Sequence, residues 1–226
     1  MKSSSTIRQF ISRSPLGKLY RLRHRFRNPQ SVFIQAYERN IWNSNESVSG
    51  TGSTIEQTEK LREALPKLLV ELHVTRMLDA PCGDYHWMSQ TRLPLERYVG
   101  ADIVPQLIQQ NIEKYGSEGR QFIVRNIIED ELPLVDLILC RDLFIHLRFK
   151  DIFRAIENFK KSGSKYLLTT TFPTRTNKDL EFTGGFRPVN LQAAPFNFPL
   201  PLKLINEDCT EMEGLYSDKS LGLWLL

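Results

Sequence analysis

Two acidic residues follow short apolar runs at a spacing that suits a pocket for a small charged ligand. The run in "MLDAPCGD" ends at Asp79 and is followed by Gly83, and the run in "RYVGADI" ends at Asp102, 19 residues after Gly83. A glycine lets the backbone approach a ligand closely, and a carboxylate after a strand can accept both hydroxyl groups of a ribose. Carboxylates suit a cationic or amine-bearing ligand better than a pyrophosphate, and the single glycine does not make the G-x-G-x-x-G pattern of dinucleotide-binding proteins.

The residues around these loops alternate between strand-like and helix-like patterns. Strands are predicted at residues 74–80, 97–103, 120–127, 134–142 and 165–172, and helices at residues 55–72, 87–93, 105–116 and 148–163. Such alternation predicts an α/β fold with a doubly wound, mostly parallel sheet that is covered on both faces. Two final strand-like runs, 202–208 and 221–226, predict a hairpin or an antiparallel C-terminal edge strand on that sheet.

Ligands bind outside the carboxyl ends of the strands in an open parallel sheet. The candidate site is therefore made by the residues that follow the predicted strands, at 79–87, 102–103, 126–127 and 141–146.

Two irregular segments accompany this core. Residues 43–54, the Ser/Gly loop, are rich in Ser, Gly and Thr and end where Ser53 or Thr54 can cap a helix, with an acidic or amide residue three positions later. Residues 172–201, the Pro/Phe loop, contain five prolines and five phenylalanines, which argues against a regular helix there.

Three motifs occur in order in the middle of the chain, namely "MLDAPCGD", "YVGADI" and "LVDLILCRDLFIHL". They resemble the first, second and fourth motifs of class I S-adenosylmethionine (SAM)-dependent methyltransferases, and the resemblance covers roughly residues 74–172. It implies a Rossmann-like fold and SAM as the cofactor.

The resemblance also implies roles for single residues. Asp79 and Gly83 would lie against the amino-acid portion of SAM, Asp102 would hold the ribose, and Asn126 and Ile127 would lie near the adenine. The other residues expected to contact the cofactor are Ala80, Pro81, Cys82, Ile103 and Arg141.

The first motif departs from the family pattern at one position. Tyr85 stands where the family has a second glycine, two residues after Gly83. Tyr85 and Trp87 are therefore expected either to crowd the cofactor or to help wall the acceptor pocket, although Trp87 also suits simple helix packing.

Further segments extend the resemblance to about residues 37–226. "WNSNESVSGTGSTIEQT", "APCGDYHWM", "CRDLFIHL", "TGGFRPVNLQAAPFNFPLP" and "LGLW" together look like a bacterial-type group of SAM-dependent methyltransferases of uncertain substrate. This similarity implies that the Ser/Gly loop and the Pro/Phe loop belong to the site.

Four residues are candidates for the acceptor side. His146 is either a general base or a packing residue, and Asp142 either faces the acceptor as a catalytic carboxylate or pairs with Arg141. Trp42 lies beside the Ser/Gly loop and is expected to cover SAM or to bind substrate, and Arg187 is expected to bind substrate because it offers a cation to an anionic acceptor.

The leading functional hypothesis is methyl transfer from SAM to a small-molecule or sugar-type (glycan) acceptor, at oxygen, by in-line displacement. Much of the rate of such a reaction comes from holding the acceptor atom in line with the bond that breaks. One alternative is a nucleic-acid methyltransferase that uses a basic tail, although "CRDL" is not the Asn/Asp-Pro-Pro-aromatic run typical of base-amine methylases. Another is a SAM-fold scaffold that binds a partner without turnover. The missing glycines disfavour a nicotinamide-dependent oxidoreductase.

The positive charge of the chain is concentrated at its N-terminus. The formal charge is +4, and residues 1–37 contain no acidic residue. This tail contains eight of the 30 basic residues, so the rest of the chain has 22 basic and 26 acidic residues, a formal charge of −4. The eight are Lys2, Arg8, Arg13, Lys18, Arg21, Arg23, Arg25 and Arg27.

Two segments are therefore predicted, a basic N-terminal extension at 1–36, partly helical, and a methyltransferase domain at 37–226. The extension suits an anchor to anionic lipid, nucleic acid or a partner protein, a transit peptide, or a solvated tail. A secretory signal is disfavoured because no apolar core follows the charges.

The remaining composition points to a cytoplasmic protein. Three distant cysteines form no CxxC, and with four scattered histidines they predict no disulfide framework and no metal site. Cys82 and Cys140 suit packing better than nucleophilic chemistry. No apolar run reaches the roughly 18 residues that a membrane-spanning helix needs.

Overall fold

Seven strands form one sheet in the computed structural model, which describes residues 28–226. In chain order they are β1 (Arg76–Asp79), β2 (Arg97–Asp102), β3 (Arg120–Val124), β4 (Leu137–Cys140), β5 (Tyr166–Thr171), β6 (Lys203–Asn206) and β7 (Ser220–Leu225). Their order across the sheet is β3-β2-β1-β4-β5-β7-β6. The first five strands are parallel, and β7 is antiparallel to both β5 and β6.

This arrangement confirms the α/β fold class with its doubly wound, mostly parallel sheet. The antiparallel C-terminal strand β7 lies one position inside the edge, because β6 pairs along its outer side. The observed strands are shorter than the predicted runs, so residues such as Asn126 and Ile127 follow β3 in a turn.

Alternate residues of the central strands pack on opposite faces of the sheet. Leu78 and Ile138 belong to one hydrophobic cluster, and Met77 and Leu137 belong to the other. All four residues of β4 are buried, as expected for a parallel strand that is covered on both sides.

Six helices surround the sheet within the described residues. They are α1 (Pro29–Glu38), α2 (Glu59–Glu71), α3 (His86–Ser89), α4 (Pro105–Tyr115), α5 (Phe149–Lys161) and α6 (Glu211–Gly214). Short 3₁₀ turns occupy Thr51–Ser53 and Phe144–His146. The apolar stripe of α5 packs on one face of the sheet and that of α2 on the other.

The predicted start of α2 at Ser53 or Thr54 is wrong by several residues. The Thr54 hydroxyl does accept the backbone N–H of Gln57, at 3.3 Å, but in an irregular turn that precedes the helix. The N–H of Ile55 donates to the carboxylate of Glu46 at 2.6 Å, which draws this turn toward the Ser/Gly loop. The helix begins only at Glu59.

The N-terminal helix α1 belongs to the folded core. The side chain of Asn28 accepts the N–H of Gln30 at its start, and Pro29 occupies the first turn. Phe33 belongs to the hydrophobic cluster on one face of the sheet, and Ala36 is buried as well. The predicted division between residues 36 and 37 therefore falls inside a packed helix and does not coincide with a structural boundary. The eight basic residues of the tail lie outside the described residues.

The Pro/Phe loop contains no strand and no helix, as expected, and two asparagine amides hold its backbone. The Asn190 amide donates to the carbonyls of Pro173, at 2.8 Å, and Arg175, at 3.0 Å. The Asn177 amide donates to the carbonyls of Asn190, at 2.7 Å, and Ala194, at 2.8 Å. These bonds satisfy backbone groups that a sheet ladder would otherwise pair.

All three cysteines, Cys82, Cys140 and Cys209, are buried and free. Between residues 28 and 226, none of the helices combines the length and the apolar character that crossing a membrane would require.

Replacing Asn190 should destabilise the protein. We expect Asn190→Ala to lower the free energy of unfolding by about 1–3 kcal/mol, because two loop carbonyls lose their donor. Urea denaturation followed by circular dichroism measures this. The neighbouring Gln192→Ala is the control and should change the free energy of unfolding by less than about 0.5 kcal/mol; equal effects of the two changes would contradict the assignment.

Candidate functional site

A cavity of about 410 Å³ opens at the carboxyl ends of the parallel strands. This volume lies within the range of small-ligand pockets. Twelve of the fourteen predicted site residues line it: Trp42, Asp79, Pro81, Cys82, Gly83, Asp102, Ile103, Asn126, Ile127, Arg141, Asp142 and His146. Ala80 and Arg187 do not. No group of His, Cys, Asp and Glu side chains within residues 28–226 is arranged to hold a metal ion.

Asp79 ends β1 as a buried carboxyl group. Burial raises the pKa of Asp79 to about 7, although the hydroxyl of Tyr98 donates to its carboxylate at 2.6 Å and Arg141 also favours the charged form. A cationic ligand group beside Asp79 would favour the ionised form. The position therefore suits an ammonium group.

Asp102 joins the ends of two neighbouring strands. One carboxylate oxygen accepts the N–H of Val104 at 3.0 Å, and the other accepts the N–H of Gly83 at 3.2 Å. Burial raises the pKa of Asp102 to about 6 against these two bonds. Each oxygen keeps acceptor capacity, so the pair can receive two adjacent hydroxyl groups.

Gly83 allows the Ser/Gly loop to approach the cavity. Its φ is +53°, and a Cβ there would lie 2.1 Å from the hydroxyl of Ser49. The neighbouring Asp84 accepts the Ser47 hydroxyl at 3.0 Å and the Val48 N–H at 2.9 Å. The loop after β1 and the Ser/Gly loop therefore form one wall of the cavity, as the resemblance implied.

Tyr85 neither crowds the cavity nor lines it. Its φ of +58° keeps the left-handed turn that a glycine would adopt at this position. The ring points into the core, where it packs edge-on against Tyr98, Tyr115 and Phe122. Trp87 does line the cavity, with the guanidinium of Arg141 over its ring.

Arg141 and Asp142 belong to a buried network of four charges. Arg141 binds the carboxylate of Glu207 at 2.6 Å, and Lys219 binds the carboxylate of Asp142 at 2.6 Å. Arg141 also lies 3.4 Å from Asp142, and Lys219 lies 3.3 Å from Glu207. Two positive and two negative side chains therefore balance at the ends of β4, β6 and β7.

The network makes Asp142 a poor proton acceptor. Burial acts to raise the pKa of Asp142, but Arg141 and Lys219 outweigh it and hold the pKa at about 2. The alternative in which Asp142 pairs with Arg141 fits this geometry, and its role as a general base does not.

Sequence reasoning missed Glu207 and Lys219. They follow β6 and precede β7, 66 and 77 residues after their partners in the network. The available signal was Arg141, since a cation that directly follows a fully buried strand needs a buried counter-ion.

His146 lies on the 3₁₀ turn that follows β4. Its Nδ1 lies 2.7 Å from the carbonyl oxygen of Gly185, which can only accept a hydrogen bond. Nδ1 therefore carries the proton in the neutral ring, and Nε2 is left as the acceptor. Burial lowers the pKa of His146 below its ordinary value, which favours the neutral form.

The structure corrects the prediction for Arg187. Its guanidinium is buried and donates to the carbonyls of Phe144, at 2.5 Å, Leu147, at 2.6 Å, and Lys178, at 3.2 Å. Those bonds leave it facing away from the cavity, and burial lowers its pKa to about 10. Arg187 holds the turn that carries His146.

Ala80 is a second correction. It is fully buried in the hydrophobic core, and its N–H donates to the carbonyl of Leu139 on the neighbouring strand.

Solved structures of methyltransferases have a fold similar to that of this chain. The methyltransferase domain of the bacterial protein CtHen1-C aligns with a TM-score of 0.56 and 11% identity, over 76% of this chain and 99% of that domain. The N-methyltransferase NodS from Bradyrhizobium japonicum WM9, in complex with S-adenosyl-L-homocysteine (SAH), aligns with a TM-score of 0.50 and 17% identity, over 62% of this chain and 72% of NodS. No family model and no curated protein matches the sequence. The chain thus has the fold of class I SAM-dependent methyltransferases.

Removing one charge from the buried network should be costly. We expect Glu207→Gln to lower the free energy of unfolding by about 3–5 kcal/mol, because two buried cations would then share one carboxylate. Urea unfolding measures this loss, with the exposed Glu213→Gln as a matched control of the same charge change. A loss no greater than that of the control would show that the four charges are not coupled.

Proposed function

We propose that this chain is a SAM-dependent methyltransferase that acts on a hydroxyl oxygen of a small-molecule or glycan acceptor. The observation that carries the proposal is the pair of buried carboxylates, Asp79 and Asp102, facing one cavity at the carboxyl ends of β1 and β2. The shared fold with NodS, which was crystallised with SAH, supports it.

The residues present fit this cofactor. Asp79 would hold the ammonium group of SAM, and Asp102 would accept the two ribose hydroxyls. Asn126 and Ile127, which follow β3 and line the same cavity, would lie beside the adenine. Gly83 brings backbone close to the site without a side chain in the way.

SAM supplies a methyl carbon that is electrophilic because it is bonded to a sulfonium. The protein must then exclude water, align the acceptor and take the hydroxyl proton. Nε2 of His146 is the acceptor best suited to that proton, because its ring is neutral and oriented by the carbonyl of Gly185. A scaffold without turnover would bind SAM but show no methyl transfer, so an activity assay separates the two hypotheses.

SAM binding tests the cofactor assignment. Asp102→Asn should weaken SAM binding at least tenfold, about 1.4 kcal/mol, because one charged acceptor for the ribose hydroxyls is lost. Isothermal titration calorimetry measures the dissociation constant. The control is Glu96→Gln, the same charge change at an exposed residue before the opposite end of β2, and it should bind SAM as the parent does. Parent-like affinity in Asp102→Asn would refute the site.

The pH dependence of methyl transfer tests His146. The rate should be constant at neutral pH and fall on acidification with a midpoint below about 6.5, because a protonated imidazole cannot accept the hydroxyl proton. The same midpoint should appear in an NMR titration of the His146 ring.

His146→Gln should lower kcat by about 10²-fold to 10⁴-fold and remove this acid limb, while SAM affinity stays unchanged. An acid limb that persists in His146→Gln would assign the proton transfer to another group.

A further inference from the structure

The part of the cavity around His146 is lined by aromatic rings. The ring of His146 lies 5.9 Å from that of Trp42 on one side and 6.1 Å from that of Phe186 on the other. The ring centroid of Phe186 lies 5.3 Å from that of Tyr216, which lies 6.0 Å from that of Phe172. All five residues line the cavity, and we call Trp42, Phe186, Tyr216 and Phe172 the aromatic row.

The two carboxylates beside the aromatic row already have partners. The carboxylate of Asp142 is bonded to Lys219, and that of Glu211 accepts the hydroxyl of Thr51 at 2.5 Å. A sugar would bring several hydroxyl groups that each need a partner once water is removed. An acceptor with one hydroxyl on an apolar ring needs only one such partner, which Nε2 of His146 can supply.

Phe186 is held beside His146 by the backbone on either side of it. The N–H of Gly184 donates to the carbonyl of His146 at 2.8 Å, and the N–H of Arg187 donates to the carbonyl of Ile145 at 3.1 Å. The carbonyl of Gly185 meets Nδ1 of His146. Phe186 is nevertheless 47% exposed where it lines the cavity, so part of its side chain is free to contact an apolar ligand.

We propose that the acceptor is an uncharged phenol, whose aromatic ring packs against Trp42 and Phe186 while its hydroxyl faces Nε2 of His146. This inference rests on the proposed function and narrows its acceptor class from small hydroxyl compounds in general to aromatic ones. Ring pairs of this kind favour edge-on or offset contacts at centroid distances of about 4.5–7 Å, the range that the aromatic row already shows.

In the proposed reaction the phenol loses its proton as it gains the methyl group. Nε2 of His146 removes the phenol proton while the phenol oxygen forms a bond to the methyl carbon. The bond between sulfur and that carbon breaks, and its electron pair stays on sulfur, which leaves neutral SAH. The imidazolium of His146 then releases its proton to water.

Two probe acceptors test the class. The protein is first titrated with SAM by calorimetry, and failure to bind SAM would refute the proposed function itself, independently of the acceptor. With SAM bound, transfer of a radiolabelled methyl group is measured to 2-naphthol and to methyl β-D-glucopyranoside. We expect kcat/KM to be at least about 100-fold higher for 2-naphthol. Binding of SAM with transfer to the glucoside at an equal or higher kcat/KM, or with no transfer to 2-naphthol, would overturn the phenol inference alone.

Phe186→Ala tests the ring contact. It should lower kcat/KM for 2-naphthol about tenfold. The loss should appear mainly as a higher KM, because the ring contacts the acceptor equally in the ground state and in the transition state. SAM affinity should stay within about twofold, which separates lost contact from lost folding. The matched control is Phe153→Ala on α5, a phenylalanine of similar exposure outside the cavity. An unchanged kcat/KM in Phe186→Ala would overturn the inference.

Discussion

The buried network of Arg141, Asp142, Glu207 and Lys219 determines much of the character of this site. Three of these charges are buried and Asp142 is 21% exposed, so they must balance one another closely, and each cation contacts both carboxylates within 3.4 Å. That requirement fixes the end of β4 against the ends of β6 and β7. Arg141 also donates to the carbonyl of Gly52 at 2.8 Å, so the network holds the Ser/Gly loop across the cavity as well.

The network explains why Asp142 differs in pKa from Asp79 and Asp102, which line the same cavity. Asp142 has two cationic partners and a pKa of about 2, whereas Asp79 and Asp102 are buried without an ion pair among the described residues and have raised pKa values. A carboxyl group in the second situation gains most from a ligand that brings a positive charge or hydroxyl donors. The protein thus satisfies the charge of Asp142 internally and leaves Asp79 and Asp102 able to receive a ligand.

The sequence was informative where local patterns decide the structure. Runs of apolar residues predicted all seven strands, and the rule that ligands bind at their carboxyl ends brought Asp79, Asp102 and Asn126 to one cavity. It was uninformative where the direction of a side chain depends on distant partners. Tyr85 adopts the left-handed backbone conformation expected of a glycine, and its ring packs in an aromatic cluster of the core. Arg187 donates to carbonyls of a neighbouring turn and does not face the cavity.

The Pro/Phe loop shows how an irregular segment can fix a side chain of a neighbouring turn, here His146. Ordering such a backbone costs about 1–2 kcal/mol of conformational entropy per residue, and no ladder of strand hydrogen bonds offsets it. Asn177 and Asn190 fix one part of the loop, and the bonds from Arg187 to the carbonyls of Phe144 and Leu147 fix another against the turn of Phe144–His146. In the same part of the loop, the carbonyl of Gly185 sets the tautomer of His146, and the N–H groups of Gly184 and Arg187 hold the segment that carries Phe186. Because His146 and Phe186 are both held by bonds from the segment 184–187, a change that loosens this segment should displace the two side chains together.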